Sequence, residues 1–344
     1  MYGKDCKIAV IGAGAIGGIT AGFIARAGYN VEIVCKHREI ADKIRTEGMH
    51  ISGVKGECRV TISALERVSD LRGLKDIVFL ATKATDVTEA VRDLLPCLTD
   101  KSIVVSLQNG ICEDAIADIV GRQRTIGCVV GWGATMHGPA RYEMTSTGEF
   151  IVGNIDSKPD IRLLSLEKIM GAVVPVQRSV NIMGNLYSKL IINSCINSLG
   201  AICGYHLGKM LSLRKYRNIF IEIIGEAMAV ADEMFLTVEP YGGRLDYYKF
   251  LQGAGFTDSF RRHLSIRVIG FKYRRIKSSS LQSLERGKPT EIDFLNGYIS
   301  RHGRKLKIPT PVNDKIIEIV KEIERGVRKV TPENFDDPFF EQYD

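Results

Sequence analysis

An apolar run, Ile8-Ala9-Val10-Ile11, ends in Gly12-Ala13-Gly14-Ala15-Ile16-Gly17, and Ile16, Ile19, Phe23 and Ile24 then recur at helical spacing before a second run, Val31-Glu32-Ile33-Val34. Strand, glycine turn, helix and strand in that order form a unit in which the first glycine makes the turn. The second lets the backbone approach a phosphate, and the third lets helix pack on strand. A helix N-terminus presents free N–H groups and a partial positive charge, so the turn at 12–17 is expected to be a dinucleotide pyrophosphate site, a mere tight turn being the alternative. Gly12, Ala13, Gly14, Ala15, Ile16 and Gly17 are its candidate cofactor-binding residues.

Selectivity for NAD usually rests on Asp or Glu about 20 residues further on, at the end of the second strand. Here Cys35-Lys36-His37-Arg38 holds that place without an acid. Basic side chains there suit a 2'-phosphate, so NADP(H) is the expected cofactor, with Lys36 and Arg38 as its ligands; the alternative is that both only flank a loop.

Further apolar runs follow at 76–80, 102–107 and 125–130, separated by helical stretches at 86–95 and 112–120. The fold class is therefore α/β, an N-terminal Rossmann-type doubly wound parallel sheet followed by a mostly α-helical C-terminal domain. Residues 135–153 read as a hairpin region with turns at Gly138-Pro139 and Thr147-Gly148, and 173–180 as a last strand. Helical patterns follow at 187–200, 216–235, 258–284, 292–303 and 312–325. The expected domains are 1–180, 181–330 and a loosely held acidic, aromatic tail at 331–344.

The helix after residue 186 carries Lys189, Asn193 and Asn197 at four-residue intervals among Leu190, Ile191, Ile192 and Ile196. That spacing puts the three polar side chains on one face, which must meet a cleft or internal partners. A solvated stripe is the alternative, but short asparagines are poor helix formers and argue against it. Carbonyl reduction needs a proton donor and a group that stabilises a developing oxyanion, and a lysine ammonium supplies both. No histidine has a comparable setting.

These features, with Ala81-Thr82-Lys83-Ala84, Leu107-Gln108-Asn109-Gly110, Ser279-Ser280-Leu281-Gln282 and Thr290-Glu291-Ile292-Asp293-Phe294-Leu295-Asn296-Gly297, resemble the ketopantoate reductase family from residue 7 to about 320. The resemblance implies NADPH-dependent reduction of 2-dehydropantoate to pantoate, a step toward pantothenate and coenzyme A. It makes Lys189 the general acid, with Asn193 and Asn197 orienting substrate and Ser279 binding its carboxylate. Glu291 would hold the substrate hydroxyl and face the cofactor. Lys83 and Asn109 would lie on the cofactor side, with Asn109 also reaching substrate.

The pattern is departed from at Ser283, where many relatives carry an acid, and in the long basic stretch 233–277. Both bear on which 2-keto acid fits, since an altered wall leaves proton and hydride transfer intact. A reductase of another 2-keto acid and a non-catalytic NADP-binding redox sensor are the competing readings.

Eight cysteines lie scattered without a Cys-x-x-Cys pair, which gives no zinc or disulfide framework and makes a cytoplasmic, reducing setting the expectation. The apolar start of the chain fits a buried strand better than a signal peptide, given Asp5 and the glycine spacing. No charge-free run reaches the length of a membrane span, so no membrane partner is expected. The formal charge of +7 gathers at 272–277, read as a solvated or non-specific basic patch with no nucleic-acid module around it. Apolar helices such as 219–230 are core or, second, the seam of a homodimer.

Overall fold

The computed structural model describes residues 2–344, which form two compact units, one through Leu186 and one from Tyr187 onward. In the first, strands β1 (Lys7–Ile11), β2 (Asn30–Val34), β5 (Ser63–Leu65), β6 (Lys75–Leu80), β7 (Leu98–Ser106), β8 (Thr125–Val130), β11 (Phe150–Asn154) and β12 (Val176–Arg178) make one sheet. Its order is β12-β11-β8-β7-β6-β1-β2-β5. All neighbours pair in parallel except β8 and β11. From β1 the chain steps outward through β2 to β5, then returns to β6 on the other side of β1. That reversal opens a crevice beyond the carboxyl ends of β1 and β6, where α/β sheets bind ligands.

The run of Ile8 to Ile11 forms a central strand because it is apolar on both faces, and its last four residues are buried. Helices α1 (Ala15–Arg26), α2 (Arg38–Glu47), α3 (Val87–Leu94), α4 (Glu113–Val120) and α5 (Arg162–Met170) provide the connections. A second sheet, β4-β3-β10-β9, joins β3 (Met49–Gly53), β4 (Cys58–Val60), β9 (Gly133–Gly138) and β10 (Arg141–Ser146), and packs on α1. The hairpin expected at 135–153 is confirmed only for its first turn; after residue 147 the chain crosses to the main sheet as β11, antiparallel to β8. The expected strand at 173–180 shrinks to the three residues of β12.

The second unit is helical: α6 (Ile182–Cys203, entering from the first unit), α7 (Leu207–Ser212), α8 (Arg214–Glu233), α9 (Tyr247–Leu251), α10 (Phe256–Lys272), α11 (Ser279–Glu285), α12 (Asn296–Leu306) and α13 (Pro311–Glu324). Its core gathers the apolar faces of α6, α8, α12 and α13; Ile219, Ile223, Ile316 and Ile319 are fully buried. The 219–230 segment is thus core.

Two expectations are corrected here. The single helix expected over 258–284 is broken at 273–278, where Leu207 N–H donates to the Ile276 carbonyl and Ser278 caps a new helix by accepting from Leu281 N–H. The tail at 331–344 is docked rather than loose. Phe335 and Phe340 are buried, and the Phe335 ring packs 4.8 Å from that of Tyr216. Asn218 Nδ2 donates to the Tyr343 carbonyl at 2.8 Å, so the aromatic content of the tail serves as core. No helix among the described residues is long and apolar enough to cross a membrane.

Candidate functional site

In the first unit, four of the predicted segments follow the carboxyl ends of neighbouring strands: the glycine turn after β1, Lys36 and Arg38 after β2, Lys83 after β6 and Asn109 after β7. The order β2-β1-β6-β7 gathers them at one edge of the sheet. A cleft of about 670 Å³ is lined among others by Gly12, Lys36, Arg67, Thr82 and Asp86.

Each glycine of the turn has a separate steric reason. Gly12 sits at φ +107°, and a Cβ there would fall 2.6 Å from the Ala81 carbonyl oxygen. A Cβ on Gly17 would strike the Gly12 carbonyl, so that glycine lets α1 lie on β1. Gly14 is exposed, and a Cβ on it would meet nothing. It is also the N-cap of α1, with no side-chain cap and no acid in the first turn. Uncapped N–H groups beside an open glycine fit a pyrophosphate, on which a side chain at Gly14 would intrude. Ala13 is buried, and Ala15 and Ile16 are half-buried.

Lys36 Nζ lies 2.7 Å from Asp86 Oδ2, and that hydrogen bond holds the lysine pKa above its ordinary value. Arg38 is 3.5 Å from Asp42 and 3.9 Å from Glu66. Both basic side chains are largely exposed and paired with surface carboxylates that an incoming phosphate could replace. Lys83 is exposed beside Asp86, whose carboxyl stays low despite its partial burial because Lys36 and Thr85 hydrogen-bond it.

Asn109 is half-buried, and Gly110 after it takes φ +82°. Beneath this loop runs a buried polar chain that sequence reading missed. Ser106 Oγ donates to Gln108 Oε1 at 2.7 Å, and Gln108 Nε2 donates to Thr82 Oγ1 at 3.2 Å. Glu113 hydrogen-bonds Ser106 at the other end; burial pushes its carboxyl up to about 7. Since the single Ser106 proton goes to Gln108, protonated Glu113 is the form that completes the chain as donor. Also missed were Tyr142, whose hydroxyl donates to the Ala13 carbonyl at 3.1 Å, and Arg67, an exposed base on the cleft after β5. Only for Arg67 was there a signal, a base following a short apolar run.

In the second unit, no residue of α6 is exposed. Asn185, Lys189, Asn193 and Ile196 are half-buried at steps of four, four and three, forming one narrow open stripe, and Asn197 beside it is buried. Flanking side chains are held from behind: Tyr187 donates to the Ala227 carbonyl at 2.8 Å and Tyr247 to the Ser188 carbonyl at 2.7 Å. Two later segments pack on the same helix. Ser278 Oγ donates to the Asn197 carbonyl at 3.4 Å, and Asn296 Nδ2 donates to the Ser194 carbonyl at 3.1 Å. Ser279 is exposed at the start of α11, between buried Ser278 and Ser280. Glu291 is half-buried and opens a short 3₁₀ turn. Thr290 before it is clamped through N–H and hydroxyl to Glu324 Oε1, both at 2.7 Å. The 278–282 and 290–296 segments therefore pack on α6 at Asn197 and Ser194, toward its C-terminal end.

A doubly wound sheet with this glycine turn, followed by a helical unit with a lysine–asparagine stripe, defines an oxidoreductase built on a dinucleotide fold. The family model described as "Ketopantoate reductase PanE/ApbA" matches residues 8–157, and the one described as its C terminal matches residues 181–324. The chain belongs to the ketopantoate reductase PanE/ApbA family.

Among curated relatives, the 2-dehydropantoate 2-reductase of Archaeoglobus fulgidus is 27% identical over 93% of this chain and 99% of its own. That of Pyrococcus abyssi is 29% identical over 92% and 97%. The crystal structure of a PanE/ApbA family ketopantoate reductase from Ralstonia eutropha is 30% identical, covers 93% of this chain and 99% of its own, and superposes with a TM-score of 0.80. A D-mandelate dehydrogenase solved with NADH and anilino(oxo)acetate shares the fold at 22% identity and TM-score 0.80, over 93% and 99% of the two chains.

Proposed function

We propose that this chain is an NADPH-dependent 2-dehydropantoate 2-reductase working in the cytoplasm. The observation that carries the reading is the stripe on α6, the Lys189 ammonium and the Asn185 and Asn193 carboxamides half-buried in line on a helix with no exposed residue, and buried Asn197 beside them. A ligand that such a line suits is a carbonyl compound with further polar groups. When bound, the nicotinamide cofactor supplies the hydride.

In this reading Lys189 Nζ gives its proton to the ketone oxygen and stabilises the charge that builds there. Asn193 and Asn197 orient the substrate by amide hydrogen bonds, Ser279 takes its carboxylate and Glu291 its hydroxyl. Gly12 to Gly17 hold the cofactor pyrophosphate, and Lys36 and Arg38 take the 2'-phosphate, exchanging Asp86, Asp42 and Glu66 for it. Lys83, Asn109 and Glu291 border the nicotinamide side. The polarity of the Lys36 to Arg38 segment supports NADPH over NADH.

A second reading keeps the chemistry and changes the 2-keto acid. The long segment before Ser279, which contains α10, favours it, since it departs from the pattern the resemblance implies. Purified protein, NADPH or NADH, and a panel of 2-keto acids including ketopantoate, followed by cofactor absorbance, test both. Turnover of ketopantoate with NADPH is expected. Turnover of another acid alone selects the second reading, and NADPH binding without any turnover overturns both in favour of a sensor.

A further inference from the structure

The buried polar chain beneath the Asn109 loop has a direction, and it ends in the cleft. At its inner end Glu113 opens α4, is buried, and takes the Cys112 N–H on Oε2 at 2.9 Å. In its protonated form it donates to Ser106, whose one proton goes on to Gln108 Oε1 at 2.7 Å. An amide that accepts on its oxygen offers only donors on its nitrogen, and Gln108 Nε2 faces Thr82 Oγ1 at 3.2 Å. Thr82 is therefore the acceptor of that bond. Its single hydroxyl proton is left to donate elsewhere.

The surroundings narrow down what can receive that proton. Ser106, Gln108 and Glu113 are buried, whereas Thr82 is half-buried and lines the cleft with Gly12 and Lys36. Among the described residues, no side chain or carbonyl accepts from the Thr82 hydroxyl. A Cβ on Gly12 would lie 2.8 Å from the Thr82 backbone nitrogen, so residue 82 abuts the first glycine of the turn. A hydroxyl held from behind by Gln108, beside that turn and open to the cleft, is placed to meet an oxygen acceptor entering there.

We propose that Thr82 donates its hydroxyl proton to a pyrophosphate oxygen of the bound dinucleotide, with Gln108 as the positioning residue that keeps the proton turned toward the cleft. This rests on the dinucleotide reading of the cleft and adds a side-chain donor to the backbone N–H groups of the glycine turn. Because NADPH and NADH share the pyrophosphate, Thr82 bears on affinity for both. Lys36 and Arg38, as readers of the 2'-phosphate, bear on NADPH alone.

Calorimetric titration of the full chain with NADPH, NADH and ADP-ribose tests this without any turnover. Thr82→Val keeps the side-chain shape and removes the hydroxyl. It should raise all three dissociation constants by about tenfold, as expected for losing a hydrogen bond to a charged group, with the circular dichroism spectrum unchanged. Thr82→Ser, which keeps a hydroxyl, should stay within about threefold of the wild type. Gln108→Met, or Gln108→Asn if the first does not fold, should weaken binding several-fold in the wild type and by less than about twofold in Thr82→Val. Equal losses from the Gln108 change in both backgrounds would remove its positioning role. Unchanged affinity in Thr82→Val, a loss that Thr82→Ser shares, or a loss confined to NADPH would overturn the proposal and leave the cofactor reading intact. A wild type that binds none of the three ligands would overturn both.

Discussion

The Tyr142 hydroxyl donates to the Ala13 carbonyl at 3.1 Å, tying the small sheet directly to the glycine turn of the large one. The ring lies against Gly18, where a Cβ would collide with it, so the bare Gly18 lets α1 approach the small sheet at that point. Tyr142→Phe keeps the ring and leaves the Ala13 carbonyl unpaired. Unfolding free energy should fall by about 1 kcal/mol, and the dissociation constant for NADPH should rise several-fold as the turn loosens. Chemical denaturation and fluorescence titration measure the two.

Gly14 and Gly17 should behave oppositely. Gly14→Ala adds a methyl to open space, so the melting temperature should hold while NADPH affinity falls by about tenfold or more, because the methyl occupies the expected path of the pyrophosphate. Gly17→Ala drives the same methyl into the Gly12 carbonyl and should lower stability by about 1–3 kcal/mol.

Replacing Lys36 and Arg38 together by Ala should raise the dissociation constant for NADPH by about ten- to a hundredfold and leave that for NADH within about threefold. Equal losses for both cofactors would show that the pair does not read the 2'-phosphate. Because both bases are largely exposed and their ion pairs lie at the surface, the fold itself should be nearly indifferent to the change.

Glu113 should make stability depend on pH in an unusual direction. Its folded carboxyl titrates at about 7 against an ordinary 4.5, so between those values the folded chain binds more protons than the unfolded one. Its contribution is therefore fully present below about pH 4.5 and is lost as pH rises through 7, a change on the order of 3 kcal/mol. Glu113→Gln, whose amide can donate to Ser106 at any pH, should flatten that slope in denaturation curves taken across the interval.

The glycine turn and the α6 stripe were legible in the sequence because each is a short-range pattern: a run, a turn and a helix for the first, a four-residue period for the second. Strands β3, β4 and β5 were not. They span three to five residues, include polar positions such as His50 and Ser52, and are completed by partners as distant as Arg141. The break between α10 and α11 carries no proline or glycine at 273–278 and is set by contacts with Leu207 and Asn197. Likewise the tail looked loose because its anchor, Tyr216, lies far back in the chain. The Glu113–Ser106–Gln108–Thr82 chain was hidden for the same reason, since only the sheet brings β6 and β7 together.

The central claim is that Lys189 protonates the ketone. The direct test is the initial rate of NADPH oxidation with ketopantoate by Lys189→Ala beside the wild type, at saturating cofactor. The rate should fall by about two orders of magnitude or more, the usual cost of losing a general acid, while NADPH affinity stays within about threefold. A near-normal rate in that variant would contradict the claim.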